Sequence, residues 1–257
     1  MALFLIKKAF FDLWDHLLSV VILNLGFVLV MAAGLYIPYL LNFHSLTALI
    51  GLALGGALLM LYAGAVALFV RDIADYQPVE WSRFLDYLRQ MWPAAVVFSL
   101  ITFLQIFIVL VAIPWYFSQG SVPGMVAMGV LFWASVFWWF ASQYYFPIRS
   151  RLDSEPKKVL TKCFVMLFDN PLFTLGLGLG TLALIALSTL TAFLLPGIGG
   201  ILLWHQVGFK LRLYKYDYLE QQPRGQKHRI PWPELLSEDR QRVGTRTLRG
   251  LIFPWKD

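Results

Sequence analysis

Residues 17–70 read LLSVVILNLGFVLVMAAGLYIPYLLNFHSLTALIGLALGGALLMLYAGAVALFV, 54 positions without one Asp, Glu, Lys or Arg. A helix rises about 1.5 Å per residue, so about 20 apolar residues cross the hydrocarbon core of a bilayer. The stretch is long enough for two crossings, and Pro38 to Ser45 (PYLLNFHS) supplies the breakers for a turn between them. Period-2 alternation is absent, which excludes the strands of an outer-membrane barrel. Two further uncharged runs follow, Gln90 to Ile148 and Asn170 to Phe209. Their breakers are Ser118 to Gly124 (SQGSVPG) and Pro196 to Gly200 (PGIGG).

The three runs predict an all-α polytopic membrane protein with six transmembrane helices, about 17–41, 46–70, 93–117, 125–148, 172–195 and 201–213. Residues 1–213 form the transmembrane domain and 214–257 a basic C-terminal tail. The sixth segment is short and needs Lys210 and Arg212 to snorkel toward the interface; a re-entrant hairpin is the alternative. Composition agrees. The 257 residues are 59% apolar and 14% charged, against about 25% charged in soluble proteins. One cysteine, Cys163, excludes intramolecular disulfides and thiolate metal clusters. Lys7 and Lys8 precede an apolar run far longer than the h-region of a cleaved signal peptide.

Charge placement sets the orientation. All 21 Lys and Arg fall in the N-terminus, the two long connections and the C-terminal segment, as do all 15 acidic residues. The three short loops carry neither. The positive-inside rule then places the charged segments, and both termini, in the cytoplasm of a bacterial inner membrane. The opposite face has His44 as its only titratable group, so soluble partners are expected on the inner side.

An amphipathic stretch precedes each run. Ile6, Phe10, Leu13, Trp14 and Leu17 oppose Lys7, Lys8, Asp12 and Asp15. Trp81, Phe84, Leu85 and Leu88 recur at i, i+3, i+4 and i+7. Val159, Leu160, Cys163, Phe164 and Leu167 repeat similar spacing opposite Lys157, Lys158 and Lys162. The chain therefore reads as three hairpin modules in parallel orientation, each preceded by an interfacial amphipathic helix.

The order of these features resembles the YesL-like family of uncharacterised bacterial membrane proteins over roughly residues 10–213. The likeness is carried by Leu23-Asn24, by RDIADYQPVEWSRFLDYLRQMWPAA (71–95) and by YYFPIRSRLDSEPKKVLTKCFVMLFDNP (144–171). It implies a six-span inner-membrane protein linked with carbohydrate uptake or degradation, without an established activity. The segment after Leu213 lies outside the resemblance.

Polar residues inside a membrane are the usual pointers to function. Here they are Asn24, Gln105, Gln143, His205 and Gln206; the bland reading makes them helix-to-helix or interfacial hydrogen bonds. Gly51 with Gly55, and Gly176 with Gly180, have the spacing of close helix packing, within this chain or toward a second copy. Asp72 and Asp75 are too few to hold the Mg²⁺ ions of a diphosphate site and read as solvated charges at a helix exit. No protease signature occurs, and a serine such as Ser188 has no spacing argument linking it to His205. No catalytic residue, metal or cofactor is expected.

In the tail, Arg246, Arg249, Leu251, Phe253 and Trp255 mix basic and apolar anchors, suited to anionic lipid, to packing under the bundle, or to a partner's groove. The basic excess is too small for nucleic acid. Two functions follow. One is a non-enzymatic accessory or scaffolding protein acting through its inner face. The other is a small transporter or channel lined by Asn24, Gln105, Gln143 and His205, which requires those four side chains to share a cavity.

Overall fold

The computed structural model describes residues 2–40, 45–222 and 230–246. An amphipathic helix α1 (Ala2–Asp15) leads into α2 (Leu17–Leu40), and α3 (Ser45–Ala74) returns. A single 3₁₀ turn, Trp81–Arg83, passes into α4 (Phe84–Phe107), which continues through a π turn (Ile108–Ala112) into α5 (Ile113–Ser118). Then come α6 (Val122–Ser142), α7 (Tyr145–Arg151), α8 (Pro156–Asp169), α9 (Pro171–Leu190) and α10 (Gly197–Glu220). Two short helices close the described chain, α11 (Trp232–Leu235) and α12 (Ser237–Val243). Among the described residues every regular element is helical.

Local chemistry places the boundaries. Gly120, at φ +59°, turns the chain after α5. The Ser121 side chain then accepts from Gly124 N at 3.2 Å and caps α6. Prolines open α8 and α9 in the first turn, where a missing N–H costs no hydrogen bond.

Five helical runs are long and apolar enough to cross a membrane: Leu17–Tyr36, Thr47–Ala74, Trp81–Ser118, Val122–Arg151 and Pro171–Leu190. Their outward faces are apolar. Leu172 and Leu190 are more than four-fifths exposed, and Leu18, Ile22, Leu25 and Leu29 form an exposed stripe along α2. Exposed aromatics sit toward both ends of the helices, Trp14, Trp81 and Trp92 at one and Tyr36, Tyr39 and Trp115 at the other, as aromatic rings do at the two faces of a bilayer.

The sixth uncharged segment differs from expectation. Instead of a short 201–213 piece, α10 is a 24-residue helix, about 36 Å long at 1.5 Å per residue. From Ile201 to Phe209 every residue is buried, against neighbours that include α1, α2, α3, α7 and α9. It forms the middle of the bundle, and its charged second half, from Lys210 to Glu220, is a continuation of the helix and not a tail. Gly199 and Gly200, read as breakers, belong to its first turn, because small residues are needed there. A Cβ on Gly200 would lie 3.0 Å from Leu13 and one on Gly199 3.1 Å from Val20.

The second amphipathic stretch is also not a separate helix. Arg83 and Phe84 both have right-handed helical backbone, so the turn runs straight into α4. Separate amphipathic helices, α1 and α8, precede only the first and third uncharged runs. Of the four glycines expected at helix contacts, two are used. A Cβ on Gly55 would sit 2.9 Å from the Gly34 backbone, which sets the closeness of α2 and α3. One on Gly180 would overlap the Trp204 ring at 2.3 Å. A Cβ on Gly176 meets nothing within 4 Å, and Gly51 lines an open apolar groove between α2 and α3.

Candidate functional site

The intramembrane polar residues do not meet in one cavity. Asn24 is fully buried on α2 and faces the link between α9 and α10. Its amide nitrogen donates to Leu194 O at 3.0 Å and Pro196 O at 2.8 Å, while its oxygen accepts from Gly199 N at 2.7 Å. It thus pairs Leu194 O and Gly199 N, which the broken helix leaves open, and adds a second bond to Pro196 O, which already accepts from Gly200 N. Ser188 serves the same link. It accepts from Gly197 N at 3.0 Å and makes no contact with His205.

Gln143 and His205 do meet, through Thr181. The threonine Oγ1 lies 3.1 Å from Gln143 Oε1, 2.9 Å from His205 Nε2 and 2.9 Å from Leu177 O. One hydroxyl hydrogen serves one acceptor at a time. The cluster is best satisfied when Nε2–H donates to Thr181 and the hydroxyl donates onward to Leu177 O or Gln143 Oε1. Gln143 Nε2 is buried with no partner. An orphaned amide donor costs about 1–3 kcal/mol, which gives a prediction. Gln143→Met is expected to leave stability unchanged or raise it by about 1 kcal/mol. Thr181→Val, which orphans two groups, is expected to lower it by about 1–3 kcal/mol. Reversible unfolding in mixed micelles measures both.

Gln105 stands apart, half-buried in a lateral groove of about 640 Å³ beside the π turn, with Phe98, Val109, Phe132, Ser135 and Trp139. Gln206, fully buried, points the other way. Its amide nitrogen donates to Ala67 O and Ser150 Oγ, each at 3.0 Å, and its oxygen accepts from Arg151 Nε at 3.0 Å.

Arg151 opens an extended polar assembly where the charged ends of the helices converge. It pairs with Asp75 at 2.6 Å. Lys210 of α10 lies 3.5 Å from Asp75 and 3.3 Å from Asp239 of α12. Asp239 also faces Lys8 of α1 at 3.5 Å and accepts from Tyr214 Oη at 3.0 Å. Lys8 is fully buried; it pairs with Asp12 at 2.8 Å and donates to Ala74 O and to Tyr76 Oη. Three cations (Lys8, Arg151, Lys210) thus balance three carboxylates (Asp12, Asp75, Asp239). Burial lowers the Lys8 pKa and raises that of Asp12, each against the attraction of its partner. Burial likewise raises the Tyr76 hydroxyl, followed by the charges of Asp12 and Asp239.

This assembly corrects two expectations. Asp72 and Asp75 are not solvated charges. Asp72 is bound by Arg71 at 2.7 Å and Tyr87 Oη at 2.5 Å, and Asp75 belongs to the network above. Lys8 and Asp12 face the protein, while Leu3, Ile6 and Trp14 of the same helix are exposed. An i, i+4 Lys–Asp pair on α1 and two carboxylates at the end of α3 were the available signals. What joins them is tertiary.

Part of the C-terminal segment packs on this end. Lys7 Nζ donates to Gly244 O at 3.0 Å, and Arg246 Nη1 meets both oxygens of Asp15 at 2.8 and 2.9 Å with its guanidinium over the Phe11 ring. Arg249, Leu251, Phe253 and Trp255 lie outside the described residues. A second anchor holds α8 to α10. Asp169 accepts from Tyr216 Oη and from Lys215 at 2.9 Å. The Tyr216 hydroxyl first, then Lys215, hold its carboxyl below the ordinary carboxylate range.

Cys163 is fully buried and its thiol is pushed up by burial, the opposite of an activated thiolate. Among the described residues no group of three or more His, Cys, Asp or Glu could hold a metal ion. Compared with known proteins, the chain matches no family model, no curated protein and no solved structure.

Proposed function

We propose that the protein is a non-enzymatic accessory or scaffolding component of the bacterial cytoplasmic membrane, presenting its charged end to a membrane or cytoplasmic protein partner. In this reading α10 is the sixth span, surrounded by the other five, and three parallel hairpins make up the bundle. Both termini then lie in the cytoplasm, where the positive-inside rule puts segments rich in Lys and Arg. The likeness of residues 71–95 and 144–171 to the YesL-like proteins suits such a role, alongside carbohydrate uptake or envelope assembly.

The observation that carries the reading is the neutral, buried network Lys8–Asp12–Asp239–Lys210–Asp75–Arg151. It ties an N-terminal helix and a C-terminal segment to the ends of three membrane helices. That is the construction of a fixed platform more than of a moving gate. The transporter reading has one observation in its favour, the meeting of Gln143 and His205 at Thr181. It lacks the convergence it requires, because Asn24 pairs the α9–α10 link and Gln105 faces a separate lateral groove.

Affinity capture in mild detergent tests the proposal with three chains: full length, ending after Arg246, and ending after Gln222. The first truncation keeps Asp239 and the platform; the second removes α11 and α12. The full chain is expected to hold a stoichiometric partner that at least one truncation loses. A full chain that stays partnerless, or a partner indifferent to both truncations, counts against it.

A further inference from the structure

At the charged end, the cations that make a polar contact find either a backbone carbonyl, as Lys7 and Arg149 do on Gly244 O and Gln90 O, or a carboxylate. Lys8, Arg71, Arg151, Lys210, Lys215 and Arg246 each have one within 3.5 Å. Arg212 of α10 does not. Among the described residues its guanidinium has no ion-pair or hydrogen-bond partner, and its Nε is buried and unpaired. The nearby acid, Asp169, is already held by Lys215, Tyr216 and Asn170. Arg212 instead lies 3.8 Å over the Phe173 ring, with the Trp232 ring at 5.9 Å. Stacked in this way, the guanidinium has its plane fixed while its outer N–H groups stay available.

The surroundings say what kind of anion fits. Phe173 belongs to the first turn of α9, and its neighbours Leu172, Leu175 and Leu179 form an exposed apolar stripe. Phe168, at the end of α8, is exposed as well. An unpaired arginine and two aromatic rings thus lie where α9 and α10 meet, and the apolar stripe starts one residue before Phe173 on the outward side of α9. A phosphodiester matches the forked guanidinium in shape and charge, and acyl chains match the stripe.

We propose that this corner binds an anionic phospholipid, its phosphate on Arg212 and its chains along Leu172, Leu175 and Leu179. The site rests on the reading of α9 as a membrane span and is independent of any protein partner.

Native mass spectrometry of the full-length protein, released from detergent with defined phosphatidylglycerol or phosphatidylcholine, tests it. Phosphatidylglycerol is expected to be retained at least about fivefold better. Arg212→Gln should abolish that preference, and Arg240→Gln, an exposed arginine, should leave it. Equal retention of the two lipids, or a preference that survives Arg212→Gln, would overturn the assignment. Displacement of the lipid by millimolar inorganic phosphate would do so too, since it would mark a soluble phosphate site. Should Arg212→Gln fail to fold, Arg212→Lys keeps the charge over the ring but removes the fork. Several-fold weaker retention supports the proposal and unchanged retention overturns it.

Discussion

Asp239→Asn is expected to lower stability by about 3 kcal/mol and to free the 230–246 segment for proteolysis. The carboxylate is 2% exposed and faces two ammonium groups, Lys8 at 3.5 Å and Lys210 at 3.3 Å, besides the Tyr214 hydroxyl. Removing one partner of a buried ion pair typically costs about 3–5 kcal/mol, because the remaining charge is left without its counter-ion in a poorly polarisable site. The lower end applies here, since Lys8 retains Asp12 and Lys210 retains Asp75. Arg246→Gln breaks a closer pair, with Asp15 at 2.8 Å, but both side chains are 42% exposed. Its cost is therefore expected to stay below about 1 kcal/mol. Chemical unfolding in mixed micelles, with protease cleavage after Arg240 or Arg242 as the local readout, compares the two. Equal effects would mean that burial does not govern the network. A double-mutant cycle between Asp239 and Lys8 then isolates the direct term.

Asn24→Leu is expected to cost about 3 kcal/mol or more, although leucine has the same branched skeleton and suits an apolar helix. The side chain pairs Leu194 O, Pro196 O and Gly199 N. Its loss leaves Leu194 O and Gly199 N unpaired, and Pro196 O with only its bond from Gly200 N, where lipid and apolar side chains offer nothing in exchange, at about 1–3 kcal/mol per buried group before relaxation. The complementary change is Gly197→Ala. Gly197 has φ +58°, and a Cβ would come within 2.3 Å of Asn24 Cγ. Backbone strain of about 1–3 kcal/mol adds to that overlap, so this variant should be as damaging as Asn24→Leu. The double variant Asn24→Ala with Gly197→Ala should lose less than the sum, because the shortened residue 24 removes the clash. Unfolding midpoints of Asn24→Leu, Asn24→Ala, Gly197→Ala and the double variant against the parent decide it; strict additivity of the two Ala changes would mean that the two positions do not share one contact.

These two sites divide what could be read from residues alone and what could not. The membrane character, the breaks at 118–124 and near Pro196, and the gathering of charge into a few segments were legible, because each depends on composition within a window of about 20 residues. Asn24, Gln143, His205 and Gln206 could be picked out as polar groups in apolar runs. Their partners could not: the Asn24 bonds reach across 170 to 175 residues, and Gln206 to Ala67 across 139. The breaker reading of Gly199-Gly200 failed for a related reason. Glycine marks a break when nothing packs on it, and a helix contact when a neighbour such as Leu13 or Val20 takes up the space of a Cβ.

By itself the sequence determined that the chain carries several runs long and apolar enough to cross a bilayer and keeps its charge out of them, since hydrophobic transfer and the cost of burying ions act residue by residue. Only the tertiary structure decided that α10 stands in the middle of the bundle, and that Lys8, Asp75, Lys210 and Asp239 neutralise one another at its charged end. Coulombic pairing and shape fit depend on distance in space, and helices remote along the chain supply those distances.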